Sequence, residues 1–300
     1  MDLIKEHIVR MEDHWSTEYW ISFTQDHAEI PVFIAGLYIA FITQVPRLME
    51  HRKPFQLKTA FAIWNLALSI FSLIGASRVV PPLVTMIQTN GFEYTVHDIS
   101  WIRDDKQVGC WLGLFIFSKV PELVDTVFLV LRKKRVIFLH WFHHATVLLY
   151  CWHAYATIVP YGIYFCAMNY CIHAMMYMYY FCMNIGLYRL VRPIAPLITT
   201  LQILQMVGGL GVFVAAGVSK AFSDPEHGAQ YDAANWKLGL GMYLSYFVLF
   251  VVLFVEKYEM LGTRGSASRM SKRKTRPSSP TGLSSYPVPL ATGSTMTRKA

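Results

Sequence analysis

Three histidines stand close together in the stretch His140-Trp-Phe-His143-His144, at the start of an apolar run over residues 145–155. Spacings of three and four residues are each close to one helical turn, so the three imidazoles are predicted to share one helix face. An ionisable group inside an apolar segment is a functional hypothesis by default. His153 falls on the opposite side and is interpreted as a hydrogen-bonded bystander.

The preceding apolar segment carries an unusual set of charges. Lys119, Glu122 and Thr126 fall on one stripe at i, i+3 and i+7, and Asp125 lies beside them. Unpaired charges in such a helix would cost several kcal/mol. One interpretation is a structural Lys119–Glu122 pair that holds helices together, and the other is a functional site; the residues alone leave both open.

Two later apolar segments add amide, imidazole and phenol groups at a comparable depth. Tyrosines near a helix end can be interface anchors, and an amide pair can simply hold two helices together. Asn169 and His173 lie too deep for anchors, and beside the other polar helices the two glutamines are candidates for a pocket wall. The candidate residues are Asn169, His173, Tyr177 and Tyr180 in one segment and Gln202 and Gln205 in the next.

The elements that position these groups are predicted to be membrane helices. The chain has 300 residues, of which 54% are hydrophobic and 15% charged, and this composition predicts an all-α polytopic membrane protein. The five cysteines show no disulfide or metal spacing. The seven predicted spans cover residues 30–47, 59–80, 110–131, 136–157, 160–186, 195–219 and 235–256.

The charges of the loops predict how these spans are oriented across the membrane. Segments 47–58, 132–135 and 189–192 and the tail are basic, whereas the alternate loops are acidic or mixed. By the positive-inside rule the N-terminus is lumenal and the C-terminus cytosolic. The predicted domains are a lumenal segment 1–29, a membrane domain 30–260 and a disordered basic cytosolic tail 261–300. Residues 83–108 are predicted to form a lumenal cap or an interfacial helix. The net charge of +8 lies largely in the tail, so no nucleic-acid partner is expected.

Four helices therefore place polar groups in their cytosolic halves, while their lumenal halves are apolar. The prediction is a polar chamber that opens to the cytosol and continues into an apolar interior. Such a shape suits an amphiphile with a charged head and a hydrocarbon tail. An acyl-CoA has this form.

Four sequence blocks, in order and spacing, resemble those of the ELO family of very-long-chain fatty acid elongases. The similarity runs through at least residues 110–205, and the span plan fits to about residue 260. The blocks are Lys119-Val-Pro-Glu122-Leu-Val-Asp125-Thr126, His140-Trp-Phe-His143-His144, Asn169-Tyr-Cys-Ile-His173-Ala-Met-Met-Tyr177-Met-Tyr179-Tyr180 and Thr200-Leu-Gln202-Ile-Leu-Gln205.

The resemblance implies a 3-ketoacyl-CoA synthase of the endoplasmic reticulum membrane. Such an enzyme condenses a long-chain acyl-CoA with malonyl-CoA, needs no cofactor beyond these substrates, and works with a ketoacyl reductase, a dehydratase and an enoyl reductase. The family fold has six helices around an acyl tunnel, with the first span here outside. Arg135 and the Trp141-Phe142 pair resemble the branch that handles saturated and monounsaturated chains. The sequence is silent on oligomeric state, and a homodimer is left open.

The hypothesis for the mechanism is that His143 attacks the acyl-CoA carbonyl and forms an acyl-imidazole. His173 would act as acid/base or oxyanion donor, and His140 and His144 would orient and polarise. Lys119 would hold substrate anions, and Glu122 and Asp125 would keep the neighbouring groups in place. A direct condensation with a histidine base is the alternative. Other classes left open are a seven-helix receptor or transporter and a membrane di-iron enzyme.

Overall fold

A computed structural model of the chain describes residues 2–222 and 233–274, with the side chains of residues 2, 4, 219–222 and 257–274 outside this description. The chain divides into two compact units, Met1–Phe250 and Val251–Ala300. Every contact discussed below lies within the first unit. In the second, the last helix continues to Lys274, and residues 275–300 of the predicted tail lie outside the described residues.

Within the described ranges every regular element is helical. Short 3-10 turns lie at Pro121–Leu123 and Arg192–Ile194. The α-helices are α1 Asp2–His14, α2 Thr17–Asp26, α3 Glu29–Leu48, α4 Lys58–His97, α5 Ser100–Asp104, α6 Lys106–Ser118, α7 Val124–Leu131, α8 Phe138–Ala156, α9 Gly162–Ile185, α10 Tyr188–Val191, α11 Ala195–Phe222 and α12 Ala233–Lys274.

Four of the described helical segments are long and apolar enough to cross a membrane, namely Glu29–Leu48, Lys58–His97, Tyr188–Val218 and Ala233–Glu256. The described part of the chain is therefore all-helical and fits the predicted polytopic membrane protein. Helices also lie at the other three predicted spans. Those of α8 and α9 are less apolar because they carry the histidines, asparagine and tyrosines of interest, and the third predicted span is broken in two.

The break corrects the prediction of one continuous helix over residues 110–131. Helix α6 ends at Ser118, a 3-10 turn follows, and α7 begins at Val124. Pro121 lies in the turn, where its missing N–H and its ring are tolerated better than in a helix interior. Lys119 and Glu122 thus belong to a turn between two helices rather than to one continuous helix.

Helix α4 is longer than the predicted span, which ended at residue 80. It contains Pro81 and Pro82 and continues to a kink at Gly91 before ending at His97. Pro82 cannot donate a hydrogen bond to the carbonyl of Arg78, one turn earlier. The side-chain amide of Gln107 donates to that carbonyl at 2.7 Å and satisfies it instead. Residues 83–108, predicted as a cap, form the end of α4, α5 and the start of α6.

Helices α8 and α9 follow each other in the chain and share α6 as a neighbour but otherwise pack on different helices. Helix α8 packs on α2, α3 and α6, whereas α9 packs along α4 and on α11. The link between them includes Ile158, which has a positive φ of 55°. The two helices therefore bring their side chains to the interior from two different walls.

The basic loops meet at one end of the first unit. The amide of Phe55 donates to the carbonyl of Leu131 at 3.0 Å, and Lys133 Nζ donates to the carbonyl of Glu50 at 2.8 Å. The end of α9 joins them, since Asn184 donates to the carbonyl of Lys58. The loops 47–58 and 132–135 are thus on the same side, as the charge pattern predicts.

The N-terminal helices lie at the other end. Trp152 Nε1 donates to the carbonyl of Thr24 at 3.0 Å, and Gln25 Nε2 donates to the carbonyl of Ala156 at 2.8 Å. Both contacts are near the end of α8, which starts beside the basic loops. Residues 2–26, called the N-terminal cap below, are therefore packed on the end of the helices away from the basic loops.

Candidate active site

The three histidines of α8 form a contiguous cluster in its first two turns. The ring centroids of His140 and His144 are 4.5 Å apart, and those of His143 and His144 are 5.5 Å apart. His144 is buried, and its Nδ1 has no hydrogen-bond partner among the described residues. The predicted common face is confirmed by this packing, and the group at its centre is free to bind or orient another molecule.

A hydrogen-bond chain holds the first of these histidines. His140 Nε2 and Thr126 Oγ1 are 2.9 Å apart, and Thr126 Oγ1 is also 2.9 Å from the Tyr38 hydroxyl. Thr126 lies on α7 and Tyr38 on α3, and both are buried. The ring of His140 is thereby fixed by two other helices, and helix α3 takes part in holding the site.

Helix α12 packs against His143. The ring of Tyr246 lies 4.9 Å from that of His143, and its hydroxyl donates to the His143 carbonyl at 3.3 Å. The same hydroxyl is 2.6 Å from Thr146 Oγ1. These contacts fix the backbone of α8 at His143, while no described hydrogen bond occupies the imidazole itself.

The charged group of the α6–α7 turn is an almost fully buried pair. Lys119 Nζ donates to Glu122 Oε1 at 2.7 Å, and the two residues are 2% and 3% exposed. Ser118 Oγ also donates to Glu122 Oε1, and Lys119 Nζ reaches Asn169 Oδ1 at 3.4 Å. The ammonium further lies 4.0 Å from the centroid of the Phe115 ring. The pair thus ties the turn to α9.

One carboxylate oxygen of this pair makes no hydrogen bond to a described residue. Glu122 Oε2 is buried and has no hydrogen-bond partner among the described residues. His173 lies on α9 one turn after Asn169, which Lys119 Nζ contacts, and one turn before Tyr177, whose hydroxyl donates to Asp125. His173 therefore lies on the face of α9 that meets the α6–α7 segment. A common site for these residues and His143 stays a prediction.

Asp125 connects three helices beside this interior. Its Oδ1 accepts a hydrogen bond from Trp64 Nε1 on α4 and its Oδ2 accepts one from the Tyr177 hydroxyl on α9, both at 2.7 Å. The ring of Tyr177 packs edge-on against His173 at 5.3 Å. Asp125 therefore positions Tyr177, and Tyr177 positions the imidazole next to it.

The other predicted residues have described contacts with side chains other than the histidines. Gln202 Nε2 reaches Met176 Sδ at 3.4 Å, and Gln205 forms a side-chain hydrogen bond with Tyr243 of α12. Tyr180 is 43% exposed, with its ring against that of Tyr179. Each of these side chains contacts a residue of its own helix or of a neighbouring helix. Predicted roles for them in substrate binding stay predictions.

His153 is a hydrogen-bonded bystander, as predicted, since its Nδ1 lies 2.8 Å from the side-chain nitrogen of Asn235. The site also contains residues that sequence reasoning missed, namely Tyr38, Trp64, Thr146 and Tyr246. Each is a lone polar or aromatic residue in an apolar helix. No spacing pattern marks them, because their partners come from distant segments.

The site combines imidazoles with an ammonium and an amide in a buried interior. Unpaired imidazole nitrogens serve as nucleophile or as general acid and base, and ammonium and amide donors stabilise oxyanions. Within the described residues no three His, Cys, Asp or Glu side chains are arranged to hold a metal ion. The imidazole, ammonium and amide groups present suit acid–base and acyl-transfer chemistry.

Comparison with known proteins decides the family. Residues 23–266 match the model of the ELO family, described as the GNS1/SUR4 family. The chain belongs to the ELO family. It is 42% identical over 255 residues to very long chain fatty acid elongase 4 of Trypanosoma cruzi, covering 84% of this chain and 88% of that protein.

Two further relatives of this ELO-family chain come from other organisms. Fatty acid elongase 3 of Trypanosoma brucei brucei is 39% identical over 271 residues, covering 81% of this chain and 87% of that protein. Very long chain fatty acid elongase 6 of Drosophila melanogaster is 39% identical over 238 residues, covering 79% and 74%. The family match contains all four sequence blocks and therefore the whole candidate site.

Proposed function

We propose that this protein is the condensing enzyme of fatty acid elongation, a 3-ketoacyl-CoA synthase. It joins a long-chain acyl-CoA to malonyl-CoA and releases carbon dioxide and CoA. The observation that supports the proposal is the cluster of His140, His143 and His144 on α8, tied through Thr126 to the segment that holds the buried Lys119–Glu122 pair. The names of the ELO relatives, which are fatty acid elongases, agree with it.

In the proposed mechanism His143 attacks the thioester carbonyl of the acyl-CoA. The C–S bond breaks, CoA leaves and takes up a proton, and an acyl-imidazole remains. Malonyl-CoA then loses carbon dioxide, and the electron pair of the broken C–C bond gives an enolate. Its carbon attacks the acyl-imidazole carbonyl, the new C–C bond forms as the C–N bond breaks, and His143 leaves as a neutral imidazole by taking up one proton from solvent through His173. Dividing one difficult step into two is the gain of covalent catalysis.

The neighbours of His143 have supporting roles in this proposal. His173 transfers protons or donates to an oxyanion, and Lys119 with Asn169 attracts the carboxylate or enolate of the malonyl group. His140 and His144 orient the cluster. The support for the role of His140 is its hydrogen bond to Thr126, which leaves its ring one orientation.

The proposed membrane arrangement has seven spans, with the N-terminus lumenal and the C-terminus cytosolic. The contacts between the basic loops 47–58 and 132–135 support a cytosolic location for that end. The three less apolar segments would cross with their polar groups turned to the interior, where Lys119, Glu122 and His144 are buried. The endoplasmic reticulum is the proposed location. A six-helix enclosure with α3 outside is the proposed barrel.

The proposed substrates are saturated and monounsaturated acyl-CoAs, on the basis of Arg135 and the Trp141-Phe142 pair. The product, a 3-ketoacyl-CoA, requires reduction, dehydration and a second reduction to give a saturated chain. A ketoacyl reductase, a dehydratase and an enoyl reductase are therefore the proposed partners of the reaction sequence.

The test is a condensation assay with the purified protein in detergent. Radiolabelled malonyl-CoA is incubated with saturated, monounsaturated and polyunsaturated acyl-CoAs, and the His143→Ala variant is compared with His153→Ala. His153 lies on the same helix as His143, but its ring contacts Asn235, so His153→Ala is expected to retain product formation. A folded protein that yields no 3-ketoacyl product from any acyl-CoA would contradict the proposal.

A second experiment separates the covalent route from direct condensation. Intact-mass spectrometry after incubation with acyl-CoA alone should show one added acyl group on the unchanged protein and none on His143→Ala. Turnover without an adduct, in a protein quenched on the timescale of one cycle, would favour the route in which a histidine acts only as a base.

A further inference from the structure

The hydrogen-bond chain from α3 to the first histidine of α8 consists of two buried hydroxyl groups and one imidazole. The Tyr38 hydroxyl and Thr126 Oγ1 are 2.9 Å apart, and Thr126 Oγ1 is 2.9 Å from His140 Nε2. Tyr38 is 5% exposed and Thr126 is 0% exposed. Both hydroxyl groups are therefore shielded from bulk water, and each of their hydrogens needs an acceptor within the protein.

Among the described residues, one arrangement gives every hydrogen of this chain an acceptor. Each hydroxyl has one hydrogen to donate, and a neutral imidazole has one N–H and one acceptor nitrogen. The Tyr38 hydroxyl has no described partner other than Thr126, so Tyr38 donates to Thr126 Oγ1. The hydrogen of Thr126 then goes to its other partner, His140 Nε2. His140 is consequently the tautomer that carries its hydrogen on Nδ1.

The opposite direction leaves a buried hydrogen without an acceptor. If His140 Nε2 donated to Thr126, the Thr126 hydrogen would point to the Tyr38 oxygen or to no partner. In the first case the Tyr38 hydrogen has no described acceptor, and in the second the Thr126 hydrogen has none. The cost of one such group corresponds to a population ratio of about 5–150 in favour of the Nδ1–H tautomer.

The direction of the chain determines what His140 can offer to a ligand. Its Nε2 already accepts from Thr126, so a proton binds there only if the chain is broken. No described residue hydrogen-bonds to its Nδ1, and the buried Nδ1 of His144, whose ring packs against it, has no described partner either. A fixed neutral N–H group in a buried site suits donation to a carbonyl or enolate oxygen.

We propose that Tyr38 and Thr126 are positioning residues that set the tautomer of His140, and that His140 is a fixed N–H donor to the substrate rather than a base. The donor polarises the thioester carbonyl or stabilises the enolate oxygen while another histidine reacts. This inference rests on the proposed function, because the acceptor is an oxygen of the condensation. It gives α3, which lies outside the four sequence blocks, a part in the chemistry of the site.

The test measures the tautomer directly by solid-state NMR of the full-length protein in lipid bilayers. With isotope-labelled histidine, the nitrogen chemical shifts distinguish an N–H from a bare ring nitrogen, and the His140 signals are those absent from His140→Gln. The unchanged protein should show the hydrogen on Nδ1. In Tyr38→Phe both directions of the remaining Thr126–His140 hydrogen bond are equally satisfied, so the tautomer ratio should fall about fivefold or more. Thr126→Ser retains the hydroxyl and should retain the ratio.

The control removes a similar hydroxyl pair away from the histidines. The Tyr164 hydroxyl is 2.6 Å from Thr95 Oγ1, near the start of α9 and at the end of the helices on which the N-terminal cap packs. Tyr164→Phe should leave the tautomer of His140 unchanged. The comparison separates the direction of the chain from the general effect of losing a buried hydroxyl.

The condensation assay tests the donor role. Thr126→Val should lower kcat about fivefold or more with KM unchanged, and Thr126→Ser should restore kcat, because the donor acts on the transition state. His140→Asn can place an amide N–H near the position of Nδ1, whereas His140→Gln reaches toward that of Nε2. The kcat of His140→Asn should therefore be the higher of the two. Should Thr126→Val fail to fold, Tyr38→Phe, which keeps the ring, provides the comparison.

The outcomes separate this inference from the proposed function. A hydrogen on Nε2 of His140 in the unchanged protein, or a tautomer ratio that Tyr38→Phe does not change, would overturn the assigned direction. A kcat of His140→Gln equal to or above that of His140→Asn would overturn the donor role. Absence of 3-ketoacyl product from the unchanged protein would instead contradict the proposed function, and the NMR measurement, which needs no turnover, would still show the direction of the chain.

Discussion

Removing one partner of the buried Lys119–Glu122 pair is expected to destabilise the protein far more than removing both. Lys119→Met leaves a buried carboxylate without its cation, and Glu122→Leu leaves a buried ammonium without its anion. The Lys119→Met/Glu122→Leu double variant leaves neither charge. Because the two side chains are almost fully buried and their atoms are 2.7 Å apart, the contrast should be large.

The magnitude follows from the partners that remain. Breaking a buried ion pair costs about 3–5 kcal/mol. In Lys119→Met the remaining hydrogen bond from Ser118 offsets about 1 kcal/mol, which leaves an expected loss of about 2–4 kcal/mol. In Glu122→Leu only Asn169 and the Phe115 ring remain near the ammonium, so about 3–5 kcal/mol is expected. Replacing both residues by apolar ones is often nearly neutral, so the double variant should lose about 1 kcal/mol or less.

The assay is equilibrium unfolding in mixed micelles of increasing denaturing-detergent fraction, followed by tryptophan fluorescence. The free energy of unfolding is obtained by extrapolation for the unchanged protein and the three variants. Arg10→Met breaks an exposed pair with Glu6 and serves as control, with an unchanged free energy expected. The condensation assay on the same samples separates the two interpretations of the pair. A double variant that is stable but inactive indicates a direct role in the reaction, and a stable, active one indicates a structural role alone.

Two results would refute the reasoning on the pair. One is a loss below about 1 kcal/mol in both single variants, which would mean that the charges are hydrated rather than buried together. The other is a double variant whose loss equals the sum of the single losses, because independent residues behave additively.

Tyr38→Phe removes the hydroxyl that hydrogen-bonds to Thr126, the residue that holds His140. Loss of this hydrogen bond, worth about 1 kcal/mol, should raise the activation free energy by that amount and lower kcat roughly fivefold with unchanged KM. Kinetics equal to those of the unchanged protein would contradict this expectation. Gly75→Ala places a methyl group 2.5 Å from the Tyr170 ring, so thermal unfolding in detergent should show a loss of about 1–3 kcal/mol, whereas Gly36→Ala, with open space around it, should show none. Asp125→Asn replaces a carboxylate that accepts two hydrogen bonds, and denaturant unfolding should show a loss of about 1–3 kcal/mol; unchanged stability would rule out its role in tying three helices.

Local spacing was sufficient to predict the parts of the site that lie on one element. The imidazoles of His140, His143 and His144 share a face because helix geometry determines which residues are neighbours. The Lys119–Glu122 pair forms at i, i+3 even though the segment is a turn between two helices. The basic loops also meet at one end, since charge alone distinguishes the two sides of a membrane protein.

Features that depend on distant segments could not be read from the sequence. Tyr38 of the first membrane helix reaches Thr126 of α7, and Tyr246 of the last reaches His143 of α8, and no spacing rule connects positions so far apart. The continuation of α4 through its prolines depends on the amide of Gln107, which satisfies a released carbonyl from another helix. The hydrogen bond between Gln205 and Tyr243 of α12 likewise joins segments far apart in the sequence.

The contact between Tyr38 and Thr126 also constrains the order of assembly. The two residues are 88 positions apart, and at 5–20 residues per second the ribosome takes about 4–18 s to make the intervening chain. During that interval α3 must remain in the bilayer without its final partner, and its exposed apolar residues Val32, Phe33 and Leu37 are compatible with lipid. His140 consequently acquires its complete hydrogen-bond chain only after α7 and α8 have been inserted and α3 has packed on them. The order in which the helices are inserted thus determines when the site of the newly made enzyme is complete.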